Sequence, residues 1–241
     1  MVLKVVAGQL SEQGFERAVR ELRAFAQARS PHLVPILDAG QQGSTLFYAM
    51  PHHPLGSLAL PARPLTRTEV LRAVACAARA AHALHELGIA HRDIKPENVL
   101  LTEDGARLAD LGLAQALQPG LTVTGLGPVE SVEYVDPAVL LGARASRHSD
   151  VYGLGATLHR ALAGEGLFGP LPADQPLLAV RAVLSKEPRV SAALTPGDAQ
   201  LVRDCTAPAA ERLPTAAAVA ERLDALQSPV VTLPREPTPV G

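Results

Sequence analysis

The first fifty residues contain one amphipathic segment and short apolar runs. Between Phe15 and Arg29, apolar residues stand at positions 15, 18, 19, 22, 25 and 26, which is the spacing of one face of a helix. The apolar run Leu46–Met50 stops at Pro51 and predicts a strand. The pattern therefore predicts a helix followed by a strand in this part of the chain.

A longer helix is predicted next. Thr66 and Glu69 have the Thr-x-x-Glu spacing of a capping box, in which the two side chains satisfy each other's backbone N–H groups at a helix start. An alanine-rich run continues from there to Leu87, and Gly88 follows as the expected C-terminal stop.

Residues 91–101 read His-Arg-Asp-Ile-Lys-Pro-Glu-Asn-Val-Leu-Leu, and a hairpin is predicted directly after Asn98. Asp104-Gly105, between two apolar runs, is the signal for its turn. The returning strand brings Asp110 within reach of Asn98. Asp and Asn supply the hard oxygen ligands that Mg²⁺ prefers, and Mg²⁺ commonly takes only one or two carboxylates together with substrate phosphates.

The composition sharpens this signal. The chain has three lysines beside nineteen arginines, and Asn98 is its single asparagine. Two of the lysines, Lys4 and Lys95, and that asparagine stand where phosphoryl transfer needs a compact positive charge and an oxygen ligand.

At these residues the chain resembles the eukaryotic-type Ser/Thr protein kinase family, as a bacterial-type member. The segment around Asp93, Lys95 and Asn98 is similar to the catalytic loop, and Asp110-Leu111-Gly112 is similar to the metal-binding motif with Leu in place of Phe. Lys95 also disfavours the small-molecule kinases of the same fold.

The resemblance implies an α+β, protein kinase-like bilobal fold with a truncated small lobe and a mainly helical large lobe. The kinase domain is expected over residues 1–227. Residues 1–53 would form the partial small lobe and hinge, and residues 54–227 the large lobe. The Pro-rich residues 228–241 are expected to be a disordered tail.

The resemblance also implies roles for the central residues. Asp93 would orient the substrate hydroxyl and accept its proton, and Lys95 would neutralise the phosphate during transfer. Asn98 and Asp110 would hold Mg²⁺. The expected activity is transfer of the γ-phosphoryl group of ATP to Ser and Thr hydroxyls of a protein substrate.

Nucleotide-binding residues are expected in the small lobe. Lys4, in a segment that resembles the third strand of the small lobe, would hold the α- and β-phosphates. Glu21 is favoured as its acidic partner on the following helix, and Glu16 is the competitor. Met50 falls at the gatekeeper position, and His52 would lie in the hinge or be an exposed loop histidine.

Structural landmarks of the family follow in order. His91 opens the catalytic loop, Asp150 would accept hydrogen bonds from that loop's backbone, and Arg212 resembles the structural Arg before the final helix. Where the family has Ala-Pro-Glu the chain has Asp136-Pro137-Ala138, so Arg212 would pair with Asp136 or another acid, or lie in a hydrated site. The candidate phosphorylation sites of the activation segment are Thr122, Thr124 and Ser131.

One departure bears on activity. In the family two strands and a Gly-rich loop precede the strand lysine, whereas here Lys4 is three residues from Met1. The chain is therefore expected to be either a start-site fragment of a longer kinase or a short form. The alternative function is a pseudokinase, a nucleotide-binding or scaffolding module with little transfer. Retention of Lys4, Asp93 and Asp110 favours the catalytic alternative.

Composition narrows the remaining classes. A net charge of −2 gives no electrostatic basis for nucleic-acid or anionic-membrane partners. The chain shows neither an apolar run of membrane-spanning length nor a signal peptide. Cys76 and Cys205 are expected to be reduced thiols, which fits the cytoplasm. The oligomeric state is not predicted.

Overall fold

A computed structural model describes residues 1–6, 12–42, 45–110, 129–172 and 174–227. Within them a three-stranded antiparallel sheet and one helix are followed by a mainly helical region. The predicted α+β class is confirmed. The predicted tail, residues 228–241, lies outside the described residues.

The sheet consists of β1 (Val2–Val6), β2 (Asp38–Gln42) and β3 (Thr45–Met50), in the order β1-β3-β2. Both pairings with the central β3 are antiparallel, and Lys4 lies directly opposite Tyr48. Helix α1 (Glu12–Gln27) connects β1 to β2 and buries Leu22 and Phe25, two members of the predicted apolar face.

Helix α2 (Arg67–His85) starts at the predicted capping box, because Thr66 Oγ1 accepts from the Glu69 N–H while Glu69 accepts from the Thr66 N–H. The helix is buried largely through alanines, whose small side chains let neighbouring elements approach closely. Gly88, three residues beyond α2, has a φ of 74°, a left-handed conformation that glycine adopts without strain.

A 3₁₀ turn (Pro96–Asn98) leads into the hairpin of β4 (Val99–Thr102) and β5 (Gly105–Leu108), as predicted. Two backbone hydrogen bonds join β5 of this hairpin to the segment that precedes β2. Val34 N donates to Leu108 O at 3.0 Å, and Leu108 N donates to His32 O at 2.8 Å.

The rest of the large region is helical. A 3₁₀ helix (Val129–Tyr134) precedes five α-helices, which are α3 (Pro137–Leu140), α4 (Arg147–Ala163), α5 (Pro176–Ser185), α6 (Pro196–Thr206) and α7 (Ala216–Gln227). Helix α4 is the buried centre, with ten consecutive buried residues from Asp150 to His159. Among the described residues, no helix has the length and apolarity to cross a membrane.

Candidate active site

Asp93, Lys95 and Asn98 meet in one cluster on the loop between α2 and β4. Lys95 Nζ lies 3.0 Å from Asp93 Oδ1, and Asn98 Nδ2 donates to Asp93 Oδ2 at 2.9 Å. Asn98 Nδ2 also donates to the Asp93 carbonyl at 2.7 Å. The carboxylate therefore has a fixed direction and keeps 28% of its side chain exposed, so a substrate hydroxyl can approach it.

The Lys95 ammonium also reaches the segment before α3. Its Nζ donates to Ser131 Oγ at 3.3 Å. Ser131 is the one candidate phosphorylation site among the described residues, since Thr122 and Thr124 lie outside them. The contact links the catalytic-type loop to the polypeptide that enters α3.

Asp110, just beyond β5, receives two donors from the small sheet. Lys4 Nζ lies 2.5 Å from its Oδ2, and the Tyr48 hydroxyl donates to its Oδ1 at 2.5 Å. Asp110 has a φ of 57°, an uncommon conformation for a non-glycine residue that clusters at functional sites. Burial, together with the Asp110 charge, raises the pKa of Tyr48 far above its usual range, so its hydroxyl remains a donor.

The residues fit the Mg-nucleotide that the resemblance implies. Both Asn98 hydrogen bonds to Asp93 use the amide nitrogen, so they leave its oxygen to act as a ligand. The Ala109 N–H donates to the backbone carbonyl of Asn98 at 2.8 Å, so the residue before Asp110 is hydrogen-bonded to Asn98. The described residues contain no cluster of three His, Cys, Asp or Glu side chains suited to a metal. One carboxylate and one amide nevertheless match a metal that arrives with phosphates.

Asp150, near the start of α4, supports the loop from below. One carboxylate oxygen accepts from the His91 N–H at 2.7 Å, and the other accepts from the Arg92 N–H at 2.8 Å. His85 Nε2, at the end of α2, lies 2.8 Å from the same carboxylate. Arg92 has a φ of 73°, and these bonds stabilise that strained turn immediately before Asp93.

His91 is fully buried between the loop and the end of β5. Its Nε2 donates to the Ala109 carbonyl at 3.0 Å, while Nδ1 accepts from the Asp93 N–H at 3.4 Å. Burial lowers the pKa of His91, so the ring is neutral, with the proton on Nε2. The imidazole thus ties Asp93 to the residue before Asp110.

Arg212 pairs with Asp136, one of the alternatives that the sequence left open. Its Nη1 lies 2.5 Å from Asp136 Oδ2 and 2.7 Å from the His148 carbonyl, and both ion-pair side chains are buried. The guanidinium also lies 5.4 Å from the centre of the Tyr152 ring. Asp136 additionally caps α3 by accepting from the Ala138 N–H.

The remaining small-lobe residues are placed as follows. Met50 is buried and lines a small cavity together with Leu22 and Asp110. His52 is exposed. Glu21 lies in α1, but its side chain lies outside the described part of the structure, whereas its competitor Glu16 is exposed.

Two residues that contact this site, Tyr48 and His85, were not predicted from the sequence. Tyr48 lies in the predicted strand, but its role depends on the register with β1, which a single strand pattern does not give. His85 has a weak sequence signal, since it lies in the last turn of α2, close to His91.

Comparison with known proteins gives a family for this arrangement. A family model described as protein kinase domain matches residues 1–219. The chain is similar to serine/threonine-protein kinase PknK of Mycobacterium tuberculosis, with 38% identity over 174 residues that cover 70% of this chain and 16% of that protein. It is also similar to the DNA damage-responsive serine/threonine-protein kinase RqkA of Deinococcus radiodurans, with 36% identity over 178 residues, 70% of this chain and 26% of that protein.

A third relative is serine/threonine-protein kinase PknD of Mycobacterium tuberculosis, 35% identical over 171 residues, which cover 68% of this chain and 26% of that protein. The matched part thus spans about a quarter or less of these three relatives. The family model covers most of the chain, including every described residue of the cluster around Asp93 and Asp110. The chain belongs to the protein kinase domain family.

Proposed function

We propose that this chain is the catalytic domain of a serine/threonine protein kinase that transfers the γ-phosphoryl group of ATP to Ser and Thr hydroxyls of protein substrates. The observation that carries the proposal is the convergence of Lys95 and Asn98 on the Asp93 carboxylate, together with the ion pair between Lys4 and Asp110. The named relatives are serine/threonine kinases, so the comparisons do not favour the pseudokinase alternative.

Each residue has a defined task in this reaction. Asp93 orients the substrate hydroxyl and takes its proton as the oxygen attacks the γ-phosphorus and the bond from that phosphorus to the leaving ADP breaks. The Asn98 amide holds the carboxylate in place. Lys95, already 3.0 Å from Asp93, brings positive charge to the transferring group. Lys4 would bind phosphate oxygens of ATP, and Asp110 with the Asn98 amide oxygen would hold Mg²⁺. Such an ion would supply positive charge to the nucleotide phosphates.

The proposal extends to location. Cys76 and Cys205 are both buried and free, which suits a reducing compartment, and we assign the reaction to the cytoplasm. Protein substrates follow from the serine/threonine kinase assignment.

The test is phosphate transfer from labelled ATP with Mg²⁺ to a generic basic protein. Asp93→Asn keeps the size of the side chain but removes its proton acceptor, so incorporation should fall about 10²- to 10⁴-fold. Asp110→Asn should abolish Mg²⁺-dependent transfer. Glu103→Gln, at an exposed residue, is the control and should behave as the wild type.

Nucleotide binding is measured separately by thermal shift with ATP and Mg²⁺. Asp93→Asn should keep the shift, because Asp93 faces the acceptor hydroxyl, while Asp110→Asn should reduce it. Equal incorporation by the wild type and both variants would contradict the catalytic assignment. If the melting temperatures of the wild type and of the variants do not change when ATP and Mg²⁺ are added, nucleotide binding is also contradicted.

A further inference from the structure

The metal-type carboxylate of Asp110 is held from two adjacent strands. Lys4 on β1 and Tyr48 on β3 are direct cross-strand partners, and such side chains lie on the same face of a sheet, about 4.5–5.5 Å apart at Cβ. Both reach Asp110, and they bind different oxygens of it, each at 2.5 Å. Each oxygen of the Asp110 carboxylate thus accepts one bond from the sheet.

The two donors differ in stiffness. The Lys4 side chain is 45% exposed and has a flexible four-carbon stem. Tyr48 is buried, lines the same small cavity as Phe25 and Met50, and has only two side-chain torsions that determine where its hydroxyl lies. Tyr48 is therefore the donor with the better-defined position.

These two bonds leave lone pairs of the Asp110 carboxylate available to a metal. An ionised carboxylate offers about four lone-pair directions, so one hydrogen bond at each oxygen leaves others available. Carboxylates that ligate metals are commonly hydrogen-bonded in turn, and loss of such a partner typically lowers metal affinity about 10- to 100-fold.

We propose that Tyr48 is a positioning residue that sets the orientation of Asp110 for Mg²⁺ in the nucleotide complex. The inference rests on the proposed function, because it concerns the same site. If Lys4 leaves Asp110 to bind the nucleotide phosphates, the Tyr48 hydroxyl remains hydrogen-bonded to Asp110 Oδ1. The carboxylate then presents its remaining lone pairs without having to be ordered when the metal arrives.

The test substitution is Tyr48→Phe in the full chain, which removes the hydroxyl and keeps the ring. Binding of a fluorescent ADP analogue is followed by anisotropy while Mg²⁺ is titrated, with a parallel titration of the analogue in EDTA. The Mg²⁺ concentration at half-saturation should rise about 10- to 100-fold, while affinity in EDTA stays unchanged. A purely structural defect would weaken both titrations.

Tyr152→Phe is the matched control, since the Tyr152 hydroxyl is buried and has no hydrogen-bond partner within the described residues. It should leave the Mg²⁺ titration as in the wild type. An unchanged or lower Mg²⁺ requirement in Tyr48→Phe would overturn the inference while wild-type binding upholds the proposed function. Failure of the wild type to bind the analogue at any Mg²⁺ concentration would overturn both.

Discussion

The Arg212 guanidinium is buried and charged, so the folded state is stable only if partner groups compensate that charge. Asp136 supplies the opposite charge, and the carbonyls of His148 and Ala207 accept two further N–H bonds. Removal of one member of a buried ion pair leaves an uncompensated charge in the interior. Substitution of Asp136 should therefore be strongly destabilising.

We expect Asp136→Ala to lower the free energy of unfolding by about 3–5 kcal/mol, because the buried guanidinium loses its counter-charge. The measurement is urea denaturation of the full chain. The control is the Arg222–Asp204 pair, which has the same residue types but leaves 44% of the Arg222 and 28% of the Asp204 side chain exposed. Asp204→Ala should cost at most about 1 kcal/mol. Equal losses in the two variants would refute the assignment.

Sequence spacing predicted that Asp93, Lys95 and Asn98 lie on one loop and that a hairpin returns Asp110 towards them, because these residues are close together in the chain. The partner of Arg212 remained open among several alternatives, because 76 residues separate it from Asp136. Tyr48 could not be found, since its bond to Asp110 depends on strand register and on the path of the chain after β5.

Helix α4 has a glycine where a neighbouring helix comes close. A Cβ on Gly155 would lie 2.5 Å from the Cβ of Cys205 in α6 and 3.1 Å from Thr206 Cγ2. Real Cβ atoms do not approach that closely, so the glycine permits the contact between α4 and α6. The low helix propensity of glycine is thus offset by packing.

We expect Gly155→Ala to destabilise the chain by about 1–3 kcal/mol through overpacking, although the same change in an open helix would stabilise by about 1 kcal/mol. Unfolding free energies measure the effect. Cys205→Gly removes the Cβ that clashes, so the double variant should lose less than the sum of the two single losses. Simple additivity, or stabilisation by Gly155→Ala alone, would contradict the close contact.

Elements with strong local signals were predicted well. The capping box placed the start of α2, the Asp104-Gly105 turn placed the β4–β5 hairpin, and the apolar spacing from Phe15 onward indicated α1. The sequence pattern did not indicate α5 and α6, which are short helices stabilised by packing against the rest of the fold. Each begins with a proline at the first turn, a signal that could have indicated them.

The molecule as a whole keeps two histidines buried and neutral. Burial lowers the pKa of His91 and of His159 below the ordinary value of 6.5. His159 Nε2 accepts from the Ser191 N–H at 3.0 Å, a bond that protonation at Nε2 would break. Below pH 6.5 the unfolded chain binds protons at both residues that the folded chain excludes.

We therefore expect the free energy of unfolding to fall as the pH drops from 7 towards 5, by up to about 1.4 kcal/mol per pH unit for each of these two histidines. Burial also lowers the pKa of His32 and of His53, so both residues add to the fall in the same pH range. Urea denaturation at several pH values measures this slope. The carboxyl of Asp198, whose pKa its bond to Arg67 lowers, contributes only near and below its ordinary value of 3.8, outside this window.

His159→Gln should flatten the slope, even though it lowers stability at pH 7 by disturbing the packing of α4. His52→Gln, at an exposed histidine, should leave the slope as in the wild type. A slope that is the same in all three proteins would show that His159 does not contribute to it.

The pairing of Arg212 with Asp136 also affects how such chains are classified. A pattern search for Ala-Pro-Glu would score Asp136-Pro137-Ala138 as a degenerate motif and count against catalytic competence. The acid has instead moved from one side of the proline to the other, and the ion pair is retained at 2.5 Å. Surveys that separate active from inactive kinases should therefore ask whether an acidic side chain pairs with the buried arginine, rather than whether the sequence reads Ala-Pro-Glu.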